Sequence, residues 1–133
     1  MKPVDQTAFG FPGGNCFSAC VASLLEINLD EVPYFMNMPV SDWYERFGRW
    51  LATRNLWPLC LEADGERSPP GLYILSGISP RAPMSADPGQ HLHSVVACGR
   101  DIVHDPHPSR DGLRDRRDVI VLVPIDPARI GAP

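Results

Sequence analysis

Gly13-Gly14-Asn15-Cys16-Phe17-Ser18-Ala19-Cys20 decides how the rest of the chain is read. Two glycines and an asparagine, a good helix N-cap, lead into a run that is apolar nearly all round. Phe17, Ala19, Cys20, Val21, Ala22, Leu24, Leu25 and Ile27 leave only Ser18, Ser23 and Glu26 polar. Such a helix, from Cys16 to about Ile27, belongs at the centre of a core. Cys16 stands at its first turn, where unused backbone N–H groups and the positive end of the helix dipole favour an anion. A cysteine is most often an inert small hydrophobe, and that suits Cys20, one turn further in. It suits Cys16 poorly, because the preceding glycines let a ligand approach the backbone closely. Cys16 is the candidate nucleophile.

A thiol nucleophile needs a base and a group that orients the base. Among the four histidines, His93 opens the strand-like run His93-Ser94-Val95-Val96. Gly99-Arg100-Asp101 then signals a tight hairpin, with Asp101 inside the turn, and the chain returns through Ile102 to His104-Asp105-Pro106. Residues flanking such a hairpin are cross-strand neighbours, so Asp105 can hold one nitrogen of His93 and leave the other for the sulfur. An oxyanion would need two donors: the backbone N–H of Cys16, and the side chain of Gln6 or Asn15. A different chemistry competes for the same residues. His91, His93, His104 and His107 with Asp105 would suit zinc or iron, an arrangement that leaves Cys16 without a role. The thiol reading requires no metal and no cofactor.

The bulk composition narrows the classes. The chain has 133 residues, 44% hydrophobic and 21% charged, as one soluble domain over 1–133 would. The net charge of -4, with acids and bases interleaved, carries no nucleic-acid footprint. Neither a charged segment followed by an apolar run at the start nor a membrane-length apolar stretch occurs, which predicts a cytoplasmic address and no membrane partner. There the four cysteines stay reduced, and none forms a Cys-x-x-Cys pair. The 15 prolines are spread along the chain and predict many turns.

Residues 1–14 read as an irregular, flexible lead-in. After the first helix, Leu29 to Pro33 and Tyr34 to Pro39 lead to a second, capped by an Asp42/Glu45 box and presenting Phe47, Trp50 and Leu51, that runs out near Asn55. Strands are expected over Leu56–Leu61, Gly71–Ile78, His93–Cys98, Ile102–His104 and Val119–Ile125, with a proline-rich loop over Ser79–Gln90 and a tail from Asp126. Helices first and antiparallel strands after give an α+β domain.

Two blocks of this sequence resemble the papain-like cysteine peptidase superfamily, and most of all the bacteriocin-processing, double-glycine-leader peptidase domains and their stand-alone relatives. Cys16-Phe17-Ser18-Ala19-Cys20-Val21-Ala22-Ser23 is similar to that family's nucleophile helix, and His93-Ser94-Val95-Val96 with Asp105-Pro106 to its histidine strand and third catalytic member. The resemblance implies a buried N-terminal nucleophile helix packed on a small antiparallel sheet. It also implies Cys16 as nucleophile, His93 as general base and acid, and Asp105 as orienter, cleaving an amide or peptide bond. Phe17 stands where the family has glycine, and Gly10 where it has its oxyanion glutamine. The alternatives are a non-catalytic papain-like module that binds a peptide or protein, and a cell-wall amidase.

Overall fold

The computed structural model describes residues 1–10, 13–36, 40–84 and 91–129. Helix α1 spans Cys16–Leu25, and every residue from Phe17 to Ser23 is buried, serines included. Ser23 is tolerated there because its hydroxyl donates to the Ala19 carbonyl at 2.8 Å and accepts from the Val4 N–H at 2.9 Å. The helix ends two residues before Ile27. Glu26 adopts a left-handed conformation (φ 57°, ψ 44°), and the N–H groups of Glu26 and Ile27 both close on the Ala22 carbonyl. That is a Schellman-type ending built without the usual glycine.

Helix α2 spans Val40–Ala52. It begins before Asp42, so the expected Asp42/Glu45 capping box does not form. Asp42 instead lies in the first turn, where its charge complements the dipole, and Glu45 pairs with Arg49 at 2.5 Å. An aromatic cluster joins the helices: Phe47 lies 5.1 Å from Phe17 and 5.2 Å from Phe35 between ring centroids.

The strands are β1 Leu56–Glu62, β2 Leu72–Ile78, β3 Leu92–Cys98, β4 Asp101–His104 and β5 Asp118–Pro124. They form one sheet in the order β1-β5-β2-β3-β4, antiparallel at every pairing. The described residues thus form an α+β arrangement of two α-helices and a five-stranded antiparallel sheet. Ile74, Val96 and Ile120 share a core with residues of α1 and α2, while Tyr73, Leu75, Val95, Ala97 and Val119 form a second core with Leu113 and Ala63 of the connecting segments. The β3–β4 turn is Gly99-Arg100, with φ 60° at Gly99. Asp101 therefore opens β4 opposite Cys98 rather than sitting in the turn.

The lead-in is irregular but not loose. Lys2 N–H reaches the Ser23 carbonyl at 3.1 Å, and Gln6 N–H the Pro106 carbonyl at 3.0 Å. Asn15 Oδ1 accepts from the N–H groups of Thr7 and Ala8, both at 2.9 Å. Asn15 occupies the N-cap position of α1, yet its side chain makes no capping bond and pins the lead-in instead. Phe11 and Pro12 of the lead-in, residues 37–39 before α2, 85–90 of the proline-rich loop and 130–133 of the tail lie outside the described residues.

One close approach fixes the floor of the site. Gly77 pairs with His93 across β2 and β3, and a Cβ on it would stand 1.9 Å from the Asp115 backbone oxygen. The 112–117 segment is held there by Arg114 N–H on the Ile78 carbonyl and Asp115 Oδ1 on the Ile78 N–H, both at 2.8 Å. Gly77→Ala is expected to lower unfolding free energy by about 1–3 kcal/mol, as overpacking does, and Gly65→Ala, in open space, by less than about 0.5 kcal/mol. Urea unfolding of both variants checks this. Equal stability would contradict the contact.

Candidate active site

Each side chain of the expected triad is delivered by a different device. Cys16 is the first residue of α1, so its own N–H is one of the four that the helix cannot use. His93 is the second residue of β3, at 3% exposure. Asp105 follows β4 directly and is 5% exposed. The structure brings the three together. His93 Nε2 donates to Asp105 Oδ1 at 2.7 Å, and Cys16 lies close enough to the ring to raise its pKa.

The carboxylate has a full complement of donors. Oδ1 also accepts from the His107 N–H at 2.9 Å, and Oδ2 from the Gly112 N–H at 2.7 Å. Gly112 aims that N–H with φ 76°, a conformation glycine adopts without strain. Burial alone would raise the Asp105 pKa, but the hydrogen bonds from His93, His107 and Gly112 hold it down at about 2. For His93, burial favours the neutral ring. Its hydrogen bonds to Asp105 and Cys16, with their charges, more than reverse this and raise the pKa to about 9. At neutral pH a buried imidazolium therefore stands against an ionised carboxylate. Cys20, by contrast, is wholly buried, and burial pushes its thiol well up, as befits an inert core residue.

Gln6 and Asn15, the two candidates for the second oxyanion donor, are both engaged elsewhere. Gln6 is buried beside Pro106, but its Nε2 donates to the Ala8 carbonyl at 2.9 Å, and its Oε1 has no partner. Asn15 Nδ2 donates to Thr7 Oγ1 at 2.9 Å. Each of these bonds uses one of the two N–H groups of its amide.

The remaining histidines disperse. His104 turns its Nε2 to the Val4 carbonyl at 2.9 Å, and His91 is tied through its backbone carbonyl to Ser79 N–H at 2.7 Å. Among the described residues, no three or more His, Cys, Asp or Glu side chains converge as metal ligands would. The sequence offered His107 to this site only as a metal ligand. Its ring meets His93 edge-on at 6.2 Å and Phe9 at 5.3 Å. Burial, then the charges of Arg81 and His93, keep it below its ordinary pKa, and Nδ1 accepts from Ser109 N–H at 3.0 Å, so the proton of the neutral ring sits on Nε2. The only sequence signal for it was proximity to Asp105. Arg-Asp-Gly at 110–112 was a turn signal for Gly112, though nothing in it pointed to the carboxylate.

Comparison of the chain with protein-family models, curated proteins and solved structures gives no match. None of the described helices is long and apolar enough to cross a membrane.

The His93–Asp105 pair makes stability depend on pH with a definite sign. His93, raised from 6.5 to about 9, contributes fully below about pH 6.5 and loses its contribution as pH rises through 9. Asp105, lowered from 3.8 to about 2, contributes fully above its unfolded value and loses its contribution as pH falls through 2. The Tm difference between wild type and Asp105→Asn is expected to be largest between about pH 4 and 6.5 and to shrink toward both extremes. Thermal melts across this range test it, and a difference that stays flat up to pH 9 would count against the raised imidazole.

Proposed function

We propose that this chain is a papain-like thiol hydrolase that cleaves an amide or peptide bond, with Cys16 as nucleophile, His93 as general base and acid, and Asp105 as the residue that orients His93. The observation that carries this reading is the 2.7 Å bond between buried His93 and buried Asp105, with Cys16 near enough to the ring to raise its pKa. A structural ion pair has no need of a cysteine at a helix start on its free side.

In this mechanism the Cys16 thiolate attacks the carbonyl carbon, and the negative charge gathers on oxygen near the Cys16 N–H. His93 then gives its proton to the departing nitrogen as the C–N bond breaks and a thioester remains. Water attacks the thioester, His93 takes its proton, and the acid leaves as the sulfur is released. Asp105 stays ionised throughout, fixing the tautomer and steadying the imidazolium.

Phe17, which replaces the family's glycine, supports rather than disturbs this reading. Its ring is 5% exposed and packs on Phe47 and Trp43, turned into the core.

Alkylation by iodoacetamide at pH 7 tests the assignment without a known substrate. The rate at Cys16 is expected to fall at least about tenfold in His93→Ala and Asp105→Asn, and to stay within about twofold in Asp101→Asn. Equal rates in all four proteins would overturn the thiol mechanism. Unchanged turnover of any amide substrate by Cys16→Ala would do the same.

A further inference from the structure

Asp105 is held from two directions. Residues 107–112 supply the N–H groups of His107 and Gly112, and the far end of the chain supplies a second grip. Asp5 meets Arg110 in a two-pronged pair, Oδ1 to Nη1 at 2.7 Å and Oδ2 to Nη2 at 2.8 Å. His104 Nε2 lies 3.3 Å from the same Asp5 oxygen. Arg110 Nη1 also donates to the backbone carbonyl of Asp105, and Gln6 N–H binds the neighbouring Pro106 carbonyl at 3.0 Å. One guanidinium therefore ties the lead-in to the backbone of the residue that orients His93.

Arg110 does this from a left-handed backbone, φ 54°, where glycine would be the unstrained choice. An exposed ion pair contributes little by itself, and the Asp5–Arg110 pair is half-exposed on both sides. The bond to the Asp105 carbonyl is what sets this pair apart from the chain's other surface pairs. It closes a path from Asp5 through Arg110 to the backbone of Asp105, whose carboxylate meets the imidazole.

We infer that Arg110, clamped by Asp5, is a positioning residue for the His93–Asp105 pair. Its importance for chemistry rests on the thiol-hydrolase reading above, whereas its hold on His93 stands on the geometry alone.

Arg110→Gly is the decisive variant, because glycine accepts the φ 54° turn freely while the guanidinium is lost. Asp5→Asn keeps the shape of the partner and removes its charge. Arg116→Ala is the control, an arginine of the same segment whose guanidinium binds the Arg100 carbonyl at 2.9 Å. NMR titration of His93 in each folded protein is the primary measurement, with melting curves alongside. His93 is expected to titrate at about 9 in wild type and Arg116→Ala, and well below that, toward 6.5, in Arg110→Gly. Asp5→Asn should move it the same way by less, and alkylation of Cys16 at pH 7 should fall about tenfold in Arg110→Gly. A His93 titration unmoved in both variants would overturn the inference, whatever their melting temperatures. A shifted titration combined with Cys16 alkylation indifferent to His93→Ala would leave the clamp standing and defeat the hydrolase reading instead.

Discussion

The buried bond between His93 and Asp105 is the constraint around which the rest of the structure is arranged. An ionised carboxylate at 5% exposure is costly unless each oxygen finds a donor. Here three are supplied from two places: the His93 ring on β3, and the His107 and Gly112 N–H groups from the segment after β4. The hydrogen bonds and charges of Asp105 and Cys16 in turn raise His93 to about 9 despite its burial. Losing the Gly112 N–H would leave Oδ2 without a donor, so the segment 105–112 has little freedom to adopt another path.

Two further features of the fold answer to this requirement. Gly77, opposite His93, leaves room for the 112–117 segment to lie against β2, which in turn brings Gly112 to the carboxylate. The lead-in is drawn across α1 by bonds to Ser23 and Asn15 and reaches Pro106 through Gln6. Irregular backbone thus serves as a fixed part of the site. Its polar groups are paired with α1, with the His104 ring on β4 and with the turn after β4.

Much of this was legible in the sequence where a local rule had a single solution. Apolar residues all round from Cys16 to about Ile27 require a central helix, and the tight turn signalled by Gly99-Arg100-Asp101 returns the chain beside His93. The misses fall where local chemistry had competing uses. Asn15 is a good cap by type, but two lead-in N–H groups needed its oxygen more than the helix did. Asp42 and Glu45 match a capping box, yet α2 had already begun. Gln6 was read in a flexible segment because no periodic pattern surrounds it; pairing over about a hundred residues, to Pro106, leaves no local trace. His107 and Arg110 act through backbone turns and reach across the fold, which spacing does not encode.

The most direct test of the central claim compares two thiols within one molecule. Cys16 and Cys98 are both partly buried and both free, so exposure alone predicts similar reactivity toward an electrophile. Wild-type protein treated at pH 7 with less than one equivalent of iodoacetamide, then digested and mapped by mass spectrometry, reports which is taken first. If His93 and Asp105 activate the sulfur beside them, label is found on Cys16 in at least about tenfold excess over Cys98. Label shared evenly between the two, or found first on Cys98, would contradict the account.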